Sequence, residues 1–374
     1  MSFKLKFETL SAGKLKLHEP LSRHTTFKIG GPAKYFIIAK NAEEIIEAIK
    51  WAKAQRVNFK IVGGGSNILF SDDGYDGLVI KINNDDLKIS GENLFCGAGL
   101  PLARALSQAL NNNLLGLQWA VGIPGTIGGA IHNNAGAYGG ELAQAVSAVK
   151  VLRAGKIIEL TNHDCGFGYR ESIFKRYSAS VIPTPSAEPV PSEVEGLRTG
   201  SAEGSLTNER DFSTRSPAKA GSLGRNDNER DIILSATLKL KSATAADIAL
   251  AKEKIKEILA DRCQKFGSNL SAGSTFKNIL LTSEEMKKFK IKHPELPADF
   301  VKWNKIPSAW LIDQCGLRGK KIGGAKVSEN HAGIIINTGK ATAKDIIMLI
   351  SIIKQKVRRK FGLQLMEEVE YVGF

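Results

Sequence analysis

The sequence predicts an α+β protein with more than one domain. Its 374 residues are enough for two or three hydrophobic cores. Short strand-like runs, such as residues 34–39 and 146–152, are interspersed with a few amphipathic helical stretches. Two glycine-rich segments, at residues 63–67 and 121–141, interrupt this pattern at points where neither regular helix nor regular strand is favoured.

Composition is typical of a globular enzyme. Apolar residues make up 43% of the chain and charged residues 24%. The sequence contains no run of about 18 apolar residues that could span a membrane. Residues 1–17 lack the apolar core of a signal peptide, which predicts a cytoplasmic protein.

The formal net charge of +14 indicates anionic ligands. Nucleic-acid binding is one explanation, but the basic residues are spread along the chain and no nucleic-acid motif accompanies them. An enzyme that handles phosphorylated small molecules would also benefit from a positive field. We favour this second interpretation, so neither a nucleic acid nor a membrane is predicted as a partner.

Cysteine and histidine spacing gives no indication of a metal site. The four cysteines form no C-x-x-C pair, and the six histidines show no H-E-x-x-H spacing. Reduced and mostly buried thiols are the expectation for such a chain.

The first elements follow from local patterns. Residues 34–39 predict a strand, and Asn41 with Glu44 predicts the N-cap of a helix that ends near residue 54. Pro101 opens a second predicted helix that ends near residue 111. Further strands are predicted at 59–62, 78–82, 87–89, 93–96, 146–152 and up to about 160, and apolar residues resume at 68–70.

The first glycine-rich segment follows a predicted strand and consists of Gly63, Gly64, Gly65, Ser66 and Asn67. A glycine turn after a strand is typical of a loop whose backbone N–H groups approach a phosphate. The segment is not the Rossmann fingerprint, because Ile68 occupies the position of the third glycine. No G-K-[ST] P-loop is present in the chain.

The second glycine-rich segment holds seven glycines between residues 122 and 140. Small apolar side chains, such as Ile123, Ile127 and Ala130, are interleaved with the glycines, whereas solvated linkers favour Ser, Lys and Glu. We therefore interpret the segment as lining a buried cofactor rather than as an idle surface loop.

Residues from about 183 to 231 differ in character from the rest. Five of the twelve prolines lie there, and the tetrapeptide NERD occurs at both 208–211 and 228–231. Low hydrophobicity with imperfect repetition predicts a disordered insertion. The flanking SIFK and IILSATLKLK stretches predict adjacent strands, so the insertion is expected to interrupt a hairpin.

Beyond the insertion, the pattern predicts an amphipathic helix ending near Cys263, and a small-residue turn at 271–278. A long helix capped by Thr342 is expected to stop at Gly362, and an alternating strand carrying Glu368 follows it. Judged singly, Arg170 is slightly favoured as a surface salt bridge. Ser274 and Glu368 are equally unremarkable in isolation.

Seven motifs together closely resemble the UDP-N-acetylenolpyruvoylglucosamine reductase family of bacterial flavoenzymes. They occur in the family's order and cover nearly the whole chain outside the insertion; they read HTTFKIGGPA, VGGGSNIL, GIPGTIGGAIHNNAGAYGGE, GYRESIFK, SAGSTFKN, GLRGKKIGGAKVSENHAGIIIN and EEVEYVG. Each motif is weak by itself, but seven in sequence are specific. The chain is similar to the shorter, second type of the family with foreign sequence added.

The resemblance implies a fold like that of the vanillyl-alcohol oxidase and p-cresol methylhydroxylase group. Residues 1–88 and 89–243 would form two subdomains that bind FAD non-covalently, and residues 244–374 would form the substrate-binding domain. The implied FAD contacts are the five residues of 63–67 together with Gly122, Ile123, Pro124, Gly125, Thr126, Gly128 and Gly129. NADPH would be the hydride donor, and a UDP-sugar would be the small-molecule substrate, with no obligate protein partner.

The resemblance also implies catalytic roles. Hydride addition to the enolpyruvyl ether leaves negative charge that needs stabilisation and then a proton. Ser274 would donate the proton, while Arg170 and Glu368 would stabilise the enol-like intermediate. Tyr169, Lys277 and Asn278 are candidates for holding the nucleotide or its phosphates.

Some positions depart from the family pattern, and two alternatives stay open. Ile279 follows the 271–278 turn where proline is usual, and Phe266 and Leu270 also replace prolines. The alternatives are another FAD oxidoreductase of the same fold, acting on an alcohol or sugar, and a non-catalytic flavin-binding protein. Oxidases of this fold often tether FAD covalently; His24 and His132 are the only histidines near the glycine segments.

Overall fold

The computed structural model describes residues 15–176, 231–267 and 269–374. Nearly all of the predicted insertion, residues 183–230, lies outside this range, so its disorder stays a prediction. Within the described part of the chain, no helix is long and apolar enough to cross a bilayer.

A four-stranded sheet carries the first glycine-rich segment. The N-terminal elements are β1 (Lys16–Pro20), β2 (Pro32–Ala39), α1 (Ala42–Ala54), β3 (Phe59–Val62), β4 (Ile68–Phe70) and β5 (Tyr75–Ile82). The sheet order is β1-β2-β5-β3, with β5 parallel to both of its neighbours. The Asn41 side chain accepts a hydrogen bond from the Glu44 amide, which confirms the predicted N-cap.

A five-stranded antiparallel sheet follows. Its region contains β6 (Leu87–Ser90), β7 (Asn93–Gly97), α2 (Leu102–Asn111), β8 (Leu114–Leu115), α3 (Ile127–His132), β9 (Gly136–Ala137), β10 (Gly140–Glu141), β11 (Val146–Arg153), β12 (Lys156–Thr161), α4 (Ile173–Arg176), β13 (Ile232–Lys239) and β14 (Lys241–Ser242). The sheet order is β12-β11-β13-β7-β6. The predicted strands and the helix after Pro101 are therefore confirmed.

The predicted hairpin across the insertion is wrong. Residues 173–176 form the short helix α4, while β13 pairs with β11 and β7. The buried Ser172 donates its hydroxyl to the carbonyl of His132, 2.7 Å away, and so fixes the start of α4 against the end of α3. The four residues SIFK, with Ile173 and Phe174 as their only apolar members, are too few for a period to distinguish helix from strand.

The C-terminal part is built around one long helix. It contains α5 (Ala245–Phe266), β15 (Ile279–Leu280), α6 (Ser283–Lys292), α7 (Ala298–Lys302), β16 (Lys305–Ile306), α8 (Ser308–Gln314), β17 (Lys321–Ile322), β18 (Ala325–Val327), β19 (Ile335–Asn337), α9 (Ala343–Phe361) and β20 (Glu370–Val372). Thr342 caps α9 and Gly362 ends it with a φ of 68°, both as predicted. Helix α5 runs three residues beyond Cys263, to Phe266.

The final strand is shorter than its alternating sequence predicts. Only Glu370–Val372 is a strand, and it pairs in parallel with β4. Residues 366–368 instead contact the 271–278 turn: the Lys277 amide donates to Met366 O at 2.9 Å, and the Glu368 amide donates to Thr275 O at 2.9 Å. The alternation therefore reflects pairing with a turn as well as with a strand.

Two large hydrophobic clusters and a smaller one, which includes Phe36, Phe70 and Val372, organise the described residues. The largest one joins both sheets and includes the buried faces of α1 and α2. The other large one surrounds α9 but also contains Phe27, Ile29 and Leu69 from the N-terminal part. Leu69 lies two residues after the first glycine-rich segment, and Phe27 follows Thr26, whose amide donates to Gly65 O at 3.1 Å, so the C-terminal core packs beside this segment.

Candidate active site

The two glycine-rich segments meet. A Cβ added at Gly64 would lie 2.7 Å from Gly125 Cα, and one added at Gly63 would lie 2.5 Å from Thr126 Oγ1. The Ser66 hydroxyl donates to Pro124 O at 3.1 Å. Residues 63–66 and 124–126 therefore form one paired backbone surface, which side chains larger than hydrogen at these glycines would separate.

The first segment exposes a row of amide donors. Gly65 has a φ of +64°, and its carbonyl accepts from the Thr26 amide at 3.1 Å. None of the amides of residues 63–67 donates a hydrogen bond to another described residue. Clustered, unpaired amides in a turn fit the pyrophosphate of a dinucleotide, so the residues present fit FAD.

The second segment is hydrogen-bonded to residues 98–100, which directly follow β7. The amides of Ile127 and Gly128 donate to Leu100 O and Ala98 O at 2.9 and 2.8 Å. Thr126 caps α3 by accepting from the Gly129 amide. Gly122 and Ile123 lie at the start of the segment, where the Ile123 amide donates to Ala120 O at 3.1 Å.

Arg170 and Glu368 form an ion pair, with 2.8 Å between Nε and Oε1. The Nε–H does not align with the carboxylate, so this contact is electrostatic rather than a well-formed hydrogen bond. Arg170 Nη2 donates to Gly136 O at 2.6 Å, and the residue has a φ of 57°. A left-handed conformation at a non-glycine residue costs about 1 kcal/mol and is often found at functional sites.

Ser274 lies in the 271–278 turn, next to Thr275, whose carbonyl binds the Glu368 amide. Its backbone bridges to Ile334, and the next residue, Thr275, accepts from the Glu368 amide. The Ser274 hydroxyl has no hydrogen-bond partner among the described residues. The structure thus brings Ser274, Glu368 and Arg170, which are far apart in sequence, into one region.

The three predicted substrate residues, Tyr169, Lys277 and Asn278, line one open cavity of about 430 Å³. The Asn278 amide donates to the Tyr169 hydroxyl at 3.3 Å. Lys277 Nζ lies 3.2 Å from Glu171, which lines the same cavity. This cavity adjoins the Arg170–Glu368 pair through Tyr169, whose neighbour in sequence is Arg170.

Burial and charge oppose each other at Glu368. Burial raises the pKa of its carboxyl above the ordinary value, while the positive charges of Arg170, Lys175 and Lys277 act in the opposite direction. Burial also lowers the pKa of Lys175 and of Lys305, the latter 4.8 Å from the Tyr169 ring centroid. The site is therefore rich in positive charge that is only partly solvated.

The sequence prediction missed Lys175, Lys305 and Glu171 as parts of this region. Lys175 and Glu171 belong to the GYRESIFK motif, but nothing in that motif alone separates them from surface charges. Among the described residues, no group of three His, Cys, Asp or Glu side chains is arranged to hold a metal ion.

Comparisons with known proteins cover both halves of the chain. Residues 33–161 match the FAD binding domain family, and residues 264–372 match the C-terminal domain of UDP-N-acetylenolpyruvoylglucosamine reductase. The reductase of that name from Solibacter usitatus is 32% identical over 95% of each chain. The one from Caldanaerobacter subterraneus subsp. tengcongensis is 34% identical over 98% of this chain and 96% of its own.

A solved structure shares the same arrangement. The crystal structure of UDP-N-acetylenolpyruvylglucosamine reductase from Thermus caldophilus superimposes with a TM-score of 0.63. It is 25% identical, and the match covers 96% of this chain and 98% of that one.

Proposed function

Because the chain belongs to the UDP-N-acetylenolpyruvoylglucosamine reductase family, we propose that it reduces UDP-N-acetylenolpyruvoylglucosamine to UDP-N-acetylmuramate, with FAD as cofactor and NADPH as hydride donor. The family membership, the FAD-binding fold and the enzyme class predicted from the motifs are confirmed. The observation that carries the function is the meeting of Arg170, Glu368 and the Ser274 turn beside the paired glycine segments.

The FAD-binding residues follow from the paired backbone surface. Residues 63–67 would hold the pyrophosphate through their free amides, and residues 122–126 with Gly128 and Gly129 would complete the cradle. When bound, FAD accepts hydride from NADPH and then supplies hydride to the vinyl carbon of the substrate. We propose residues 1–88 and 89–243 as the two FAD-binding subdomains and 244–374 as the substrate-binding domain.

Arg170 and Glu368 are proposed to act on the substrate carboxylate. The Arg170 guanidinium is already oriented by Gly136 O and by Glu368, so it can stabilise negative charge on that carboxylate without reorganising. Glu368 holds the guanidinium in place and faces the same region. Both side chains are mostly buried, with exposed fractions of 22% and 16%, and low solvation strengthens their electrostatic effect.

Ser274 is proposed to donate the proton. Its Oγ–H, which no described residue binds, would protonate the carbon next to the substrate carboxylate. A serine hydroxyl is a weak acid, and its use here requires a strongly basic carbanion in a site closed to water. Tyr169, Lys277 and Asn278, which line the open cavity, would hold the nucleotide sugar and its phosphates.

The histidine environments favour non-covalent FAD over the tethered oxidase alternative. His24 uses both ring nitrogens, with Nε2 at 2.9 Å from Glu19 and Nδ1 at 3.4 Å from Lys81 Nζ. Burial lowers the pKa of His132 to about 4, which indicates a desolvated ring. His24 is therefore engaged at both ring nitrogens, and His132 is shielded from solvent.

We propose the cytoplasm as the location, with a UDP-sugar as the small-molecule partner. All four cysteines, at positions 96, 165, 263 and 315, are free thiols. Free thiols suit a reducing compartment, which is also where NADPH is maintained.

The visible spectrum of the purified protein tests the function. We expect a flavin band near 450 nm, as oxidised flavins show, that NADPH bleaches and that returns under anaerobic conditions only when UDP-N-acetylenolpyruvoylglucosamine is added. Rapid return with oxygen alone would favour an oxidase. Colourless protein that cannot be reconstituted with FAD would exclude all flavoenzyme functions.

A further inference from the structure

Lys175 forms no ion pair with another described residue. Its Nζ donates to Asn133 Oδ1 at 3.0 Å, and no carboxylate of the described residues lies within 4.0 Å. Burial and the charge of Lys277 lower its pKa. A mostly buried ammonium with one neutral acceptor is costly, so a functional reason for its presence is expected.

A chain of amide side chains leads from Lys175 to Glu368. Asn133 Oδ1, which accepts from Lys175, also lies 3.4 Å from Asn67 Nδ2. The same Asn67 Nδ2 donates to Glu368 O at 3.0 Å, and Asn67 O accepts from the Glu370 amide at 3.0 Å. Asn133 is anchored by its own Nδ2, which donates to Gly129 O at 3.1 Å.

This chain joins four separate segments. Lys175 belongs to α4, Asn133 follows α3, Asn67 ends the first glycine-rich segment, and Glu368 precedes β20. Asn67 therefore links the loop assigned to FAD with the main chain of a catalytic carboxylate.

On this basis we propose that Lys175 is a positioning residue for Glu368. It acts on the main chain of Glu368 through Asn133 and Asn67, and the positive charge of Lys175 acts on the Glu368 carboxylate. The proposal rests on the proposed function, because that function gives Glu368 its catalytic role. The electrostatic part is supported by the opposing effects of burial and of Lys175 on the pKa of Glu368.

Several charged groups face Glu368, and Lys175 is distinct among them. Arg170 forms the direct ion pair, Lys277 is itself paired with Glu171, and Lys305 and Tyr169 approach from the other side. The nearby Glu370 is paired with Lys60. Of these cations, Lys175 and Lys305 form no ion pair with another described residue, and Lys175 is the one that donates to the amide chain through Asn133. Its charge can therefore be removed without breaking an ion pair seen among the described residues.

Three variants separate charge from geometry. Lys175→Met removes the charge, Lys175→Arg keeps it, and Asn133→Ala keeps Lys175 but breaks the amide chain. Flavin content and the rate of reduction by NADPH show whether each variant has an intact site. The main measurement is the pH dependence of reoxidation of the reduced enzyme by UDP-N-acetylenolpyruvoylglucosamine.

We expect Lys175→Met to move the acidic limb of that profile upward by roughly 0.5 to 1 pH unit, because losing the cation raises the pKa of Glu368. Lys175→Arg should restore the limb. Asn133→Ala should slow reoxidation about 10-fold or more by displacing Glu368, and because it keeps the Lys175 charge it should move the limb less than Lys175→Met does. An unmoved limb in Lys175→Met, or an unchanged reoxidation rate in Asn133→Ala, would overturn the proposal.

A second measurement does not depend on turnover. The infrared band of the protonated Glu368 carboxyl, assigned by its loss in Glu368→Gln, should titrate at higher pH in Lys175→Met than in the wild type. An identical titration in both proteins refutes the charge effect. If the wild type fails to reduce the substrate, the proposed function fails, but this titration still decides the role of Lys175.

Discussion

Gly65→Ala is expected to disrupt the loop proposed to bind FAD, residues 63–67, and to cost more stability than an alanine substitution at an unobstructed left-handed glycine. Gly65 has a φ of +64°, and a Cβ built on it would lie 2.0 Å from His24 O and 3.1 Å from Thr25 Cα. Both obstacles are main-chain atoms, which cannot rotate away as the end of a side chain can. The loop must therefore move away from residues 24–26.

Gly91→Ala is the matched control. Gly91 lies between β6 and β7 with a φ of +55°, and an added Cβ would meet nothing within 4 Å. Its cost is the left-handed backbone alone, about 1 kcal/mol. Gly65→Ala has that same backbone cost and adds about 1 to 3 kcal/mol for the steric overlap. The total for Gly65→Ala is then roughly 2 to 4 kcal/mol.

Urea unfolding of the flavin-free proteins measures the stability difference, and calorimetric titration with FAD measures affinity. We expect Gly65→Ala to lose at least 1 kcal/mol more unfolding free energy than Gly91→Ala, and about 10-fold or more in FAD affinity, because the amides of 63–67 move. Gly91→Ala should bind FAD as the wild type does. Equal stability losses with equal FAD affinities would refute the placement of this loop.

Three further predictions concern the proton donor, a buried histidine and the insertion. Ser274→Ala should keep FAD and its reduction by NADPH but slow reoxidation by the substrate at least 100-fold. The control Ser271→Ala, in the same turn, should leave both steps unchanged. Stopped-flow absorbance follows each step, and equal loss of both steps in Ser274→Ala would contradict its role as proton donor. His132 binds its proton near pH 6.5 when unfolded but only near pH 4 when folded, because of burial, so acid favours the unfolded chain. The unfolding free energy should therefore fall by about 2 to 3 kcal/mol between pH 6.5 and 4. This fall should be smaller in His132→Gln. If the unfolding free energy of both proteins has the same pH dependence, His132 is excluded as the source of the fall. Deleting residues 186–229 should leave flavin content and turnover largely intact, since that segment has the composition of an insertion; insoluble or flavin-free protein would show otherwise.

Sequence patterns predicted the elements whose periodicity is long or whose ends carry specific caps. Helix α9, with Thr342 before it and Gly362 after it, is one example, and the strand at 146–153 is another. Residues 173–176 were predicted wrongly because a tertiary contact, from Ser172 to the end of α3, decides their conformation. The final strand was predicted too long because residues 366–368 pair with a turn.

The site was predicted as separate motifs, and their meeting required the structure. Arg170, Ser274 and Glu368 were each unremarkable in isolation and gained roles only from the family resemblance. Lys175 lay inside a motif, but its function depends on Asn133 and Asn67, which come from two other segments. Such a connection has no period and no fixed spacing, so no sequence pattern can signal it.

The parallel pairing of β20 with β4 sets an order of events during synthesis. Residues 68–70, directly after the first glycine-rich segment, find their partner only at residues 370–372, about three hundred positions later. A ribosome must therefore synthesise the chain as far as residue 372 before the strand that follows the first glycine-rich segment can be paired. Contacts at such separation slow folding, so cofactor uptake is expected to follow synthesis of residues 370–372.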